Sequence, residues 1–253
     1  MSGQLTAEVI ALCLAVLIGL SLGAIGSGGS IVTLPILVFI AGVDPKSAVG
    51  MSMSIVGATS LFGCYFHWRN GNVALRTGLL FMAAGIPGAY IGSLGTHLIS
   101  SSLLMLLFAV LMFVVGTRML RSRMPASASA VVTPARCLTV GLIVGLVTGF
   151  LGVGGGFLIV PALVWFAGLD AKHAVGTSLG IIAVNSASGI AGQMQYAHWD
   201  WYLTAKFLAC SLAGMGFGIA ISKSAPDRSL RRAFAVVVLV VAVGILGRVV
   251  SHW

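Results

Sequence analysis

The sequence is internally duplicated. Residues 26–60 align without a gap on residues 152–186, and 16 of these 35 positions are identical. The same offset of 126 residues pairs three later glycines with three others, namely Gly63, Gly88 and Gly92 with Gly189, Gly214 and Gly218. A register kept over this length indicates two related halves. Whatever one half folds into, the other half is expected to repeat.

The composition places both halves in a membrane. Hydrophobic residues make up 58% of the chain and charged residues only 8%, too few to cover a water-soluble surface. A backbone in lipid must satisfy its own hydrogen bonds, which leaves helices or closed barrels. The apolar runs are continuous rather than alternating, and this pattern favours helices of about 20 residues. The sequence therefore predicts an all-α, polytopic membrane protein.

Glycine, proline and charged residues divide the chain into ten apolar segments, five in each half. The segments run over residues 7–25, 30–42, 47–67, 74–96, 101–120, 136–151, 156–168, 173–194, 201–222 and 230–250. Pro125, Pro134 and a run of Ser and Ala between them are typical of an exposed connection. We expect a first repeat at 1–120, a linker at 121–135 and a second repeat at 136–253.

The basic residues lie mostly on one side of the predicted membrane. If all ten segments cross, that side carries Arg69, Arg76, Arg118, Arg121, Arg123, Arg136, Lys172, Lys223, Arg228, Arg231 and Arg232. The other side carries only Lys46, Lys206 and Arg248. Positively charged loops stay in the cytoplasm, so we expect a cytoplasmic linker and both termini outside. Because five segments per half is an odd number, the two repeats are expected to be inverted relative to each other.

Segments 30–42 and 156–168 are too short to cross a bilayer alone. Thirteen helical residues span about 20 Å, against a hydrocarbon core of about 30 Å. Each segment follows a glycine cluster, at 26–29 or 152–156, where the chain can turn sharply. We expect both turns inside the membrane, so that two helix N-termini present unpaired amides to an anion near the midplane. The alternative is that the glycines only permit close helix packing.

Polar side chains on the following helices complete the candidate site. Asn185 has four hydrogen-bonding positions that need partners, whereas Ser and Thr in membranes often bond to their own or a neighbouring helix. The candidate substrate-binding residues are Gly28, Gly29, Ser30, Ser52, Thr59, Gly154, Gly155, Gly156, Ser178 and Asn185. Asp44 and Asp170 are expected to act as N-caps of those helices, with substrate capture as the alternative role.

Other classes of function find little support. The chain has no G-x-x-x-x-G-K-[ST] loop for ATP, and Phe157 stands where a dinucleotide-binding motif needs its last glycine. The four cysteines, Cys13, Cys64, Cys137 and Cys210, are scattered without a CxxC pair. No Ser–His or metal-ligand pair has a recognised spacing. We therefore expect no enzymatic activity, no cofactor, no metal and no nucleic-acid partner.

The motifs of the two halves point to a known family. Each half has a glycine cluster, a proline about seven residues later and a Gly-x-Asp-x-Lys-x-Ala-Val-Gly continuation. In these motifs, and over nearly the whole chain, the sequence resembles the sulfite exporter TauE/SafE family, some members of which are toluene-sulfonate uptake permeases. The matching positions are Gly28, Gly29, Pro35, Gly50 and Ser52 in the first copy and Gly154, Gly155, Pro161, Gly176 and Ser178 in the second. The resemblance implies transport of sulfite, sulfonates or related organosulfur anions across the bacterial cytoplasmic membrane.

Two functional classes remain open at this point. A secondary carrier would bind a small anion between the turns and alternate its access by rocking of the two repeats. An anion channel would use the same helix ends without an alternating cycle. The expected partners are a small anionic substrate and the lipid bilayer of the inner membrane, and the sequence leaves open a homo-oligomer.

The charge distribution gives a topology that labelling can test. A cysteine introduced at Ser127 in the linker should react with a membrane-impermeant maleimide only after the cells are permeabilised, because positively charged loops stay inside. A cysteine at Gly3 should react in intact cells. The parent protein, which carries the four native cysteines, measures the background. Labelling of the Ser127→Cys variant in intact cells would contradict the topology.

Overall fold

The computed structural model describes residues 2–26, 28–121, 133–152, 156–194, 199–222, 236 and 239–247. Within these residues there is no β-strand, and nine α-helices have defined bounds. The helices are α1 (Ser2–Ile25), α2 (Gly28–Phe39), α3 (Pro45–Arg69), α4 (Leu75–Gly95), α5 (Ser101–Arg121), α6 (Pro134–Leu151), α7 (Gly156–Ala167), α8 (Ala171–Gln193) and α9 (Trp201–Ser222). A 3₁₀ turn, Thr96–Leu98, follows α4. Residues 239–247 are also helical.

The helix bounds confirm an all-helical fold with a short helix at the same place in each half. Helices α2 and α7 each contain 12 residues, which correspond to about 18 Å of length. Five helices, α3, α4, α6, α8 and α9, contain stretches long and apolar enough to cross a membrane. Most of the predicted linker, at 122–132, and most of the predicted last segment lie outside the described residues.

Helices α1 and α9 touch backbone to backbone at glycines, and so do α4 and α6. A Cβ atom at Gly23 of α1 would lie 2.6 Å from the carbonyl oxygen of Met215 in α9. A Cβ atom at Gly88 of α4 would lie 2.5 Å from the carbonyl oxygen of Leu142 in α6. Real Cβ atoms essentially never come this close to another heavy atom. Small residues permit such close helix approach in membranes.

The two helix pairs are related by the sequence duplication. When a glycine is shifted by 126 positions towards the C-terminus, the residue that it touches shifts by 126 positions towards the N-terminus. The contact Gly19–Ser211 corresponds to Gly145–Gly85, Gly23–Met215 to Gly149–Ala89, Gly88–Leu142 to Gly214–Val16, and Gly92–Leu146 to Gly218–Leu20. Since α1 and α4 belong to the first half and α6 and α9 to the second, these closest contacts all join one half to the other. The two halves are therefore interlocked.

Helices α3 and α8, which are equivalent in the two halves, pack against each other in antiparallel directions. The Cβ position of Gly57 in α3 lies 2.8 Å from Cβ of Ser186, and that of Gly189 in α8 lies 2.8 Å from Sδ of Met53. Residue numbers thus rise along one helix as they fall along the other. Many side chains on both helices are buried, including several Ser, Thr and Asn residues. This pair brings the predicted polar residues into the interior.

Two glycines of α9 give a matched test of the close packing. At Gly218 a Cβ atom would collide with the carbonyl oxygen of Leu20. Gly218→Ala should therefore reduce the free energy of unfolding by roughly 1–3 kcal/mol, which is measured as a lower melting temperature in detergent. At Gly216 no heavy atom lies within 4 Å of the Cβ position. Gly216→Ala should leave the melting temperature unchanged or raise it slightly, because alanine favours a helix. Equal destabilisation by both substitutions would contradict the proposed role of Gly218.

Candidate functional site

Each glycine turn begins with a residue in the left-handed conformation that packs against the other half. Gly26, after α1, has φ +73°, and Gly152, after α6, has φ +71°. A side chain on Gly26 would collide with Val175 of α8, and one on Gly152 would collide with Val49 of α3. These pairs are also related by the offset of 126. Glycine is required at both positions because the backbone conformation and the lack of space each exclude a side chain.

The packing brings part of the predicted site together across the two halves. Ser178 of α8 lies in the turn of helix that follows Val175, and its Oγ is 3.4 Å from the carbonyl oxygen of Gly26. The single hydroxyl hydrogen of Ser178 points mainly to the carbonyl of Val175, which lies at the shorter distance of 2.8 Å. The predicted partners Ser178 and the first turn are therefore adjacent, although they are about 150 residues apart in the chain.

The beginnings of the two turns are not adjacent to each other. Gly152 is level with Val49 near the start of α3, whereas Gly26 is level with Val175 near the start of α8. Gly176, which follows Val175, packs against His67 near the end of α3. The two turns therefore begin at levels that are about 18 residues apart along α3, from Val49 to His67, or about 27 Å at 1.5 Å per residue. Helices α2 and α7 run back from the turns and contact each other. The middle of the molecule is thus reached by the short helices and by α3 and α8.

Gly29 packs closely against helix α1. A side chain at this position would collide with the carbonyl oxygen of Ile18 and with Leu22, both in α1. Helix α2 therefore begins beside α1, about two turns before α1 ends at Ile25, as expected for a chain that re-enters the helical layer. For Gly29, the structure supports the alternative that the glycine permits close helix packing. Ser30, the next residue, is fully buried.

The polar candidates on α3 and α8 fall into two groups. Thr59 donates to the carbonyl of Ile55 at 2.7 Å, within its own helix. Ser52 and Asn185 are at least 97% buried, and neither Ser52 Oγ nor Asn185 Oδ1 has a hydrogen-bond partner among the described residues. Asn185 packs against Gly85 of α4, whose Cβ position is 2.6 Å from Oδ1. Gly154 and Gly155 lie outside the described residues, and Gly156 is the buried first residue of α7.

Three further buried residues also have a side-chain oxygen that lacks a hydrogen-bond partner among the described residues. Ser60 of α3 and Ser186 and Gln193 of α8 are buried, and within the described part of the chain Oγ of each serine and Oε1 of the glutamine lack partners. The sequence contains a signal for the two serines, because Ser60 and Ser186 are equivalent under the offset of 126. They differ from Ser93 and Ser178, which are equally buried but donate to carbonyls of their own helices.

The two predicted N-caps differ in the structure. Asp44 accepts hydrogen bonds from the backbone N–H groups of Lys46 at 3.0 Å and Ser47 at 3.3 Å, which confirms its capping role. Asp170 occupies the same position before α8 but makes no side-chain capping bond. Its carboxylate instead bonds to Nδ1 of His173 at 2.6 Å. Burial raises the pKa of the Asp170 carboxyl, but the hydrogen bonds and the charge of His173 outweigh burial and leave this pKa below its ordinary value.

The described residues contain no group of three or more His, Cys, Asp or Glu side chains placed to hold a metal ion. The arrangement consists of hydroxyl and amide groups, helix ends and one lysine. Lys46 donates from Nζ to the carbonyl of His97 at 3.4 Å. Chemically, these groups can hold and release a small polar or anionic solute.

Comparison with known proteins agrees with this architecture. The model of the family described as sulfite exporter TauE/SafE matches residues 11–245. A probable membrane transporter protein of Xylella fastidiosa (strain Temecula1) is 35% identical over 243 residues, which cover 92% of each chain. The probable membrane transporter protein YdhB of Bacillus subtilis is 26% identical over 223 residues, which cover 86% of this chain and 91% of YdhB. The probable membrane transporter protein MJ0441 of Methanocaldococcus jannaschii is 28% identical over 193 residues, or 72% of each chain.

No solved structure matches the chain. The family match begins within α1 and extends beyond the end of α9, and the curated relatives match over most of their own length. The chain therefore belongs to the sulfite exporter TauE/SafE family of membrane transporters.

Proposed function

We propose that the protein is a secondary transporter that moves a small sulfur-containing anion, such as sulfite or an organic sulfonate, across the bacterial cytoplasmic membrane. The family description supports this class of substrate. The relatives are named only as probable membrane transporters. The proposed topology has a cytoplasmic linker, both termini outside and two inverted repeats. The antiparallel course of α3 and α8 supports the inversion.

One observation carries the proposed site. Each turn is fixed against the helix of the other half, so that Ser178 lies 3.4 Å from the carbonyl of Gly26. Helices α2 and α7 begin after these turns, and their N-termini offer unpaired amides and a partial positive charge. Between them, α3 and α8 carry buried hydroxyl and amide oxygens that have no hydrogen-bond partner in the described part of the chain. The anion binds near the midplane, where α2 and α7 approach each other beside these groups.

The interlocked packing changes the expected motion. If one whole repeat rocked against the other, α1 would have to separate from α9 and α4 from α6, although these pairs are in backbone contact. We infer that each pair moves as one body instead. The α1–α9 pair and the α4–α6 pair then rock about α3 and α8, and access alternates as their mutual angle changes. Each moving body contains helices from both repeats.

Reconstituted protein gives the direct test of function. Proteoliposomes should take up sulfite, sulfoacetate or an aryl sulfonate with saturable kinetics, and unlabelled anion inside should accelerate uptake of labelled anion by counterflow. Liposomes without protein measure leakage. Flux that rises linearly with concentration and shows no counterflow would instead indicate an anion channel.

Substitution of Asn185 tests whether this residue lines the proposed anion site. Asn185→Ala should reduce transport by about tenfold or more, the effect of losing a hydrogen bond to a charged group. The melting temperature should change little because Oδ1 has no partner to lose among the described residues. Ser188→Ala is the matched control on the same helix, since Ser188 is partly exposed and donates to the carbonyl of Ile86 at 2.7 Å. Normal transport by Asn185→Ala would remove this residue from the site.

A further inference from the structure

His67, near the end of α3, has a side chain that the proposed function does not use. Nδ1 and Nε2 of its imidazole are both buried, and neither has a hydrogen-bond partner among the described residues. A neutral imidazole carries one donor and one acceptor, and a protonated imidazole carries two donors. The main chain is bonded, since the carbonyl of His67 accepts from the N–H of Asn72 at 2.9 Å. The ring is therefore left with two unused bonding positions.

The duplication places a residue that does not titrate at the equivalent position. Position 67 corresponds to Gln193, the last residue of α8. Gln193 is 0% exposed, its Oε1 has no partner in the described part of the chain, and its Nε2 lies 3.5 Å from Oγ1 of Thr96. Because α3 and α8 are antiparallel, His67 and Gln193 lie at opposite ends of this central pair. Both ends thus have an unsatisfied buried group, but of the two equivalent residues only the histidine can take up a proton near neutral pH.

Helix α8 places His67 at the level of the first turn. The Cβ position of Gly176 lies 3.0 Å from Cβ of His67. Gly176 follows Val175, which fills the space beside Gly26. Two residues further along, Oγ of Ser178 lies 3.4 Å from the carbonyl of Gly26. An anion that moves from the proposed central site along α3 and α8 towards this end therefore comes level with the His67 ring.

The charged groups near the ring do not fix its protonation. On the elements beside it, the other titratable or charged side chains are Cys64 and Arg69 on α3, Arg76 at the start of α4, and Asp170, Lys172 and His173 at the start of α8. The two arginines and the lysine are exposed, and the Asp170 carboxylate is bonded to His173. Cys64 lies against α8, with its Sγ 3.1 Å from the Cβ position of Gly180. No carboxylate of the described residues forms an ion pair with the His67 ring, so a passing anion can decide its charge.

We propose that His67, once protonated, is a second binding position for the anion, at the same end of the molecule as Arg69. The imidazole takes a proton from water at this end, donates an N–H to the anion, and returns the proton to water when the anion leaves. A neighbouring anion favours the charged ring, and by reciprocity the charged ring favours the anion. At the other end, Gln193 offers the anion an amide without a charge. This inference rests on the proposed function, because its ligand is the proposed class of anion.

Membrane vesicles of the two orientations test this position from each side. With a cytoplasmic linker, the His67 end faces the bath in inverted vesicles and the lumen in right-side-out vesicles. The probe is a labelled aryl sulfonate, which stays ionised throughout, so any effect of pH belongs to the protein. In inverted vesicles the KM of uptake should be at least about fivefold lower at about pH 6 than at about pH 8, because these values lie on either side of the ordinary histidine pKa of about 6.5. His67→Gln should abolish this difference.

Three further variants separate His67 from the other histidines. His173→Gln at the same end and His97→Gln at the opposite end should keep the difference seen with inverted vesicles. Gln193→His should create such a difference in right-side-out vesicles, because it gives the second end a side chain that can be protonated. Vesicles from cells without the protein measure the background.

The possible outcomes distinguish this inference from the proposed function. Saturable uptake whose KM does not change with pH in either orientation, or a wild-type pH difference in His67→Gln, would overturn the inference and leave the proposed function standing. Should His67→Gln fail to accumulate, His67→Asn also removes the proton site and is read in the same way. A pH difference that appears only in right-side-out vesicles and is lost in His67→Gln would support the inference and reverse the topology. Wild-type vesicles without saturable uptake of sulfite or any sulfonate would refute the proposed function and the inference together.

Discussion

Backbone contact at glycines is the interaction on which the rest of this structure depends. Within a bilayer, lipid tails are as apolar as the side chains, so helices gain little from burying apolar surface and associate through van der Waals packing. Eight glycines in α1, α4, α6 and α9 provide this packing, in two sets related by 126 residues. They fix the outer helix pairs, and the turns that end α1 and α6 are thereby placed against α8 and α3.

Hydroxyl groups in the helices follow a simple pattern, which makes the exceptions informative. Thr33, Ser54 and Thr59 each donate to a carbonyl four residues earlier, the usual solution where no water is present. The unpartnered oxygens of Ser, Asn and Gln side chains within the described residues lie on α3 and α8, the two helices at the centre. A buried polar atom without a partner costs about 1–3 kcal/mol. Keeping several such atoms on these helices is understandable if a solute satisfies them during transport.

The sequence was sufficient for the order and approximate bounds of the described helices, because apolar length and glycine punctuation are local properties. It also predicted the Asp44 cap, which depends on neighbours within three residues. Contacts between distant helices were not predictable in the same way. Gly29 and Gly26 look alike in the sequence, yet one faces α1 and the other faces α8. Asp170 repeats Asp44, but His173, which stands where the first half has Ser47, draws the Asp170 carboxylate away from the cap. The repeat likewise could not show that the closest partners lie in opposite halves.

The pairing of α1 with α9 has a consequence for how the chain is made. Gly19 and its contact Ser211 are 192 positions apart, so the ribosome must add most of the protein before α1 meets the helix that it fits. At roughly 5–20 residues per second, α1 waits for roughly 10–40 s with its glycine face against lipid or the insertion machinery. Helix α1 is thus made long before the helix against which it packs. The α1–α9 pair can therefore form only after both halves of the duplication have been synthesised.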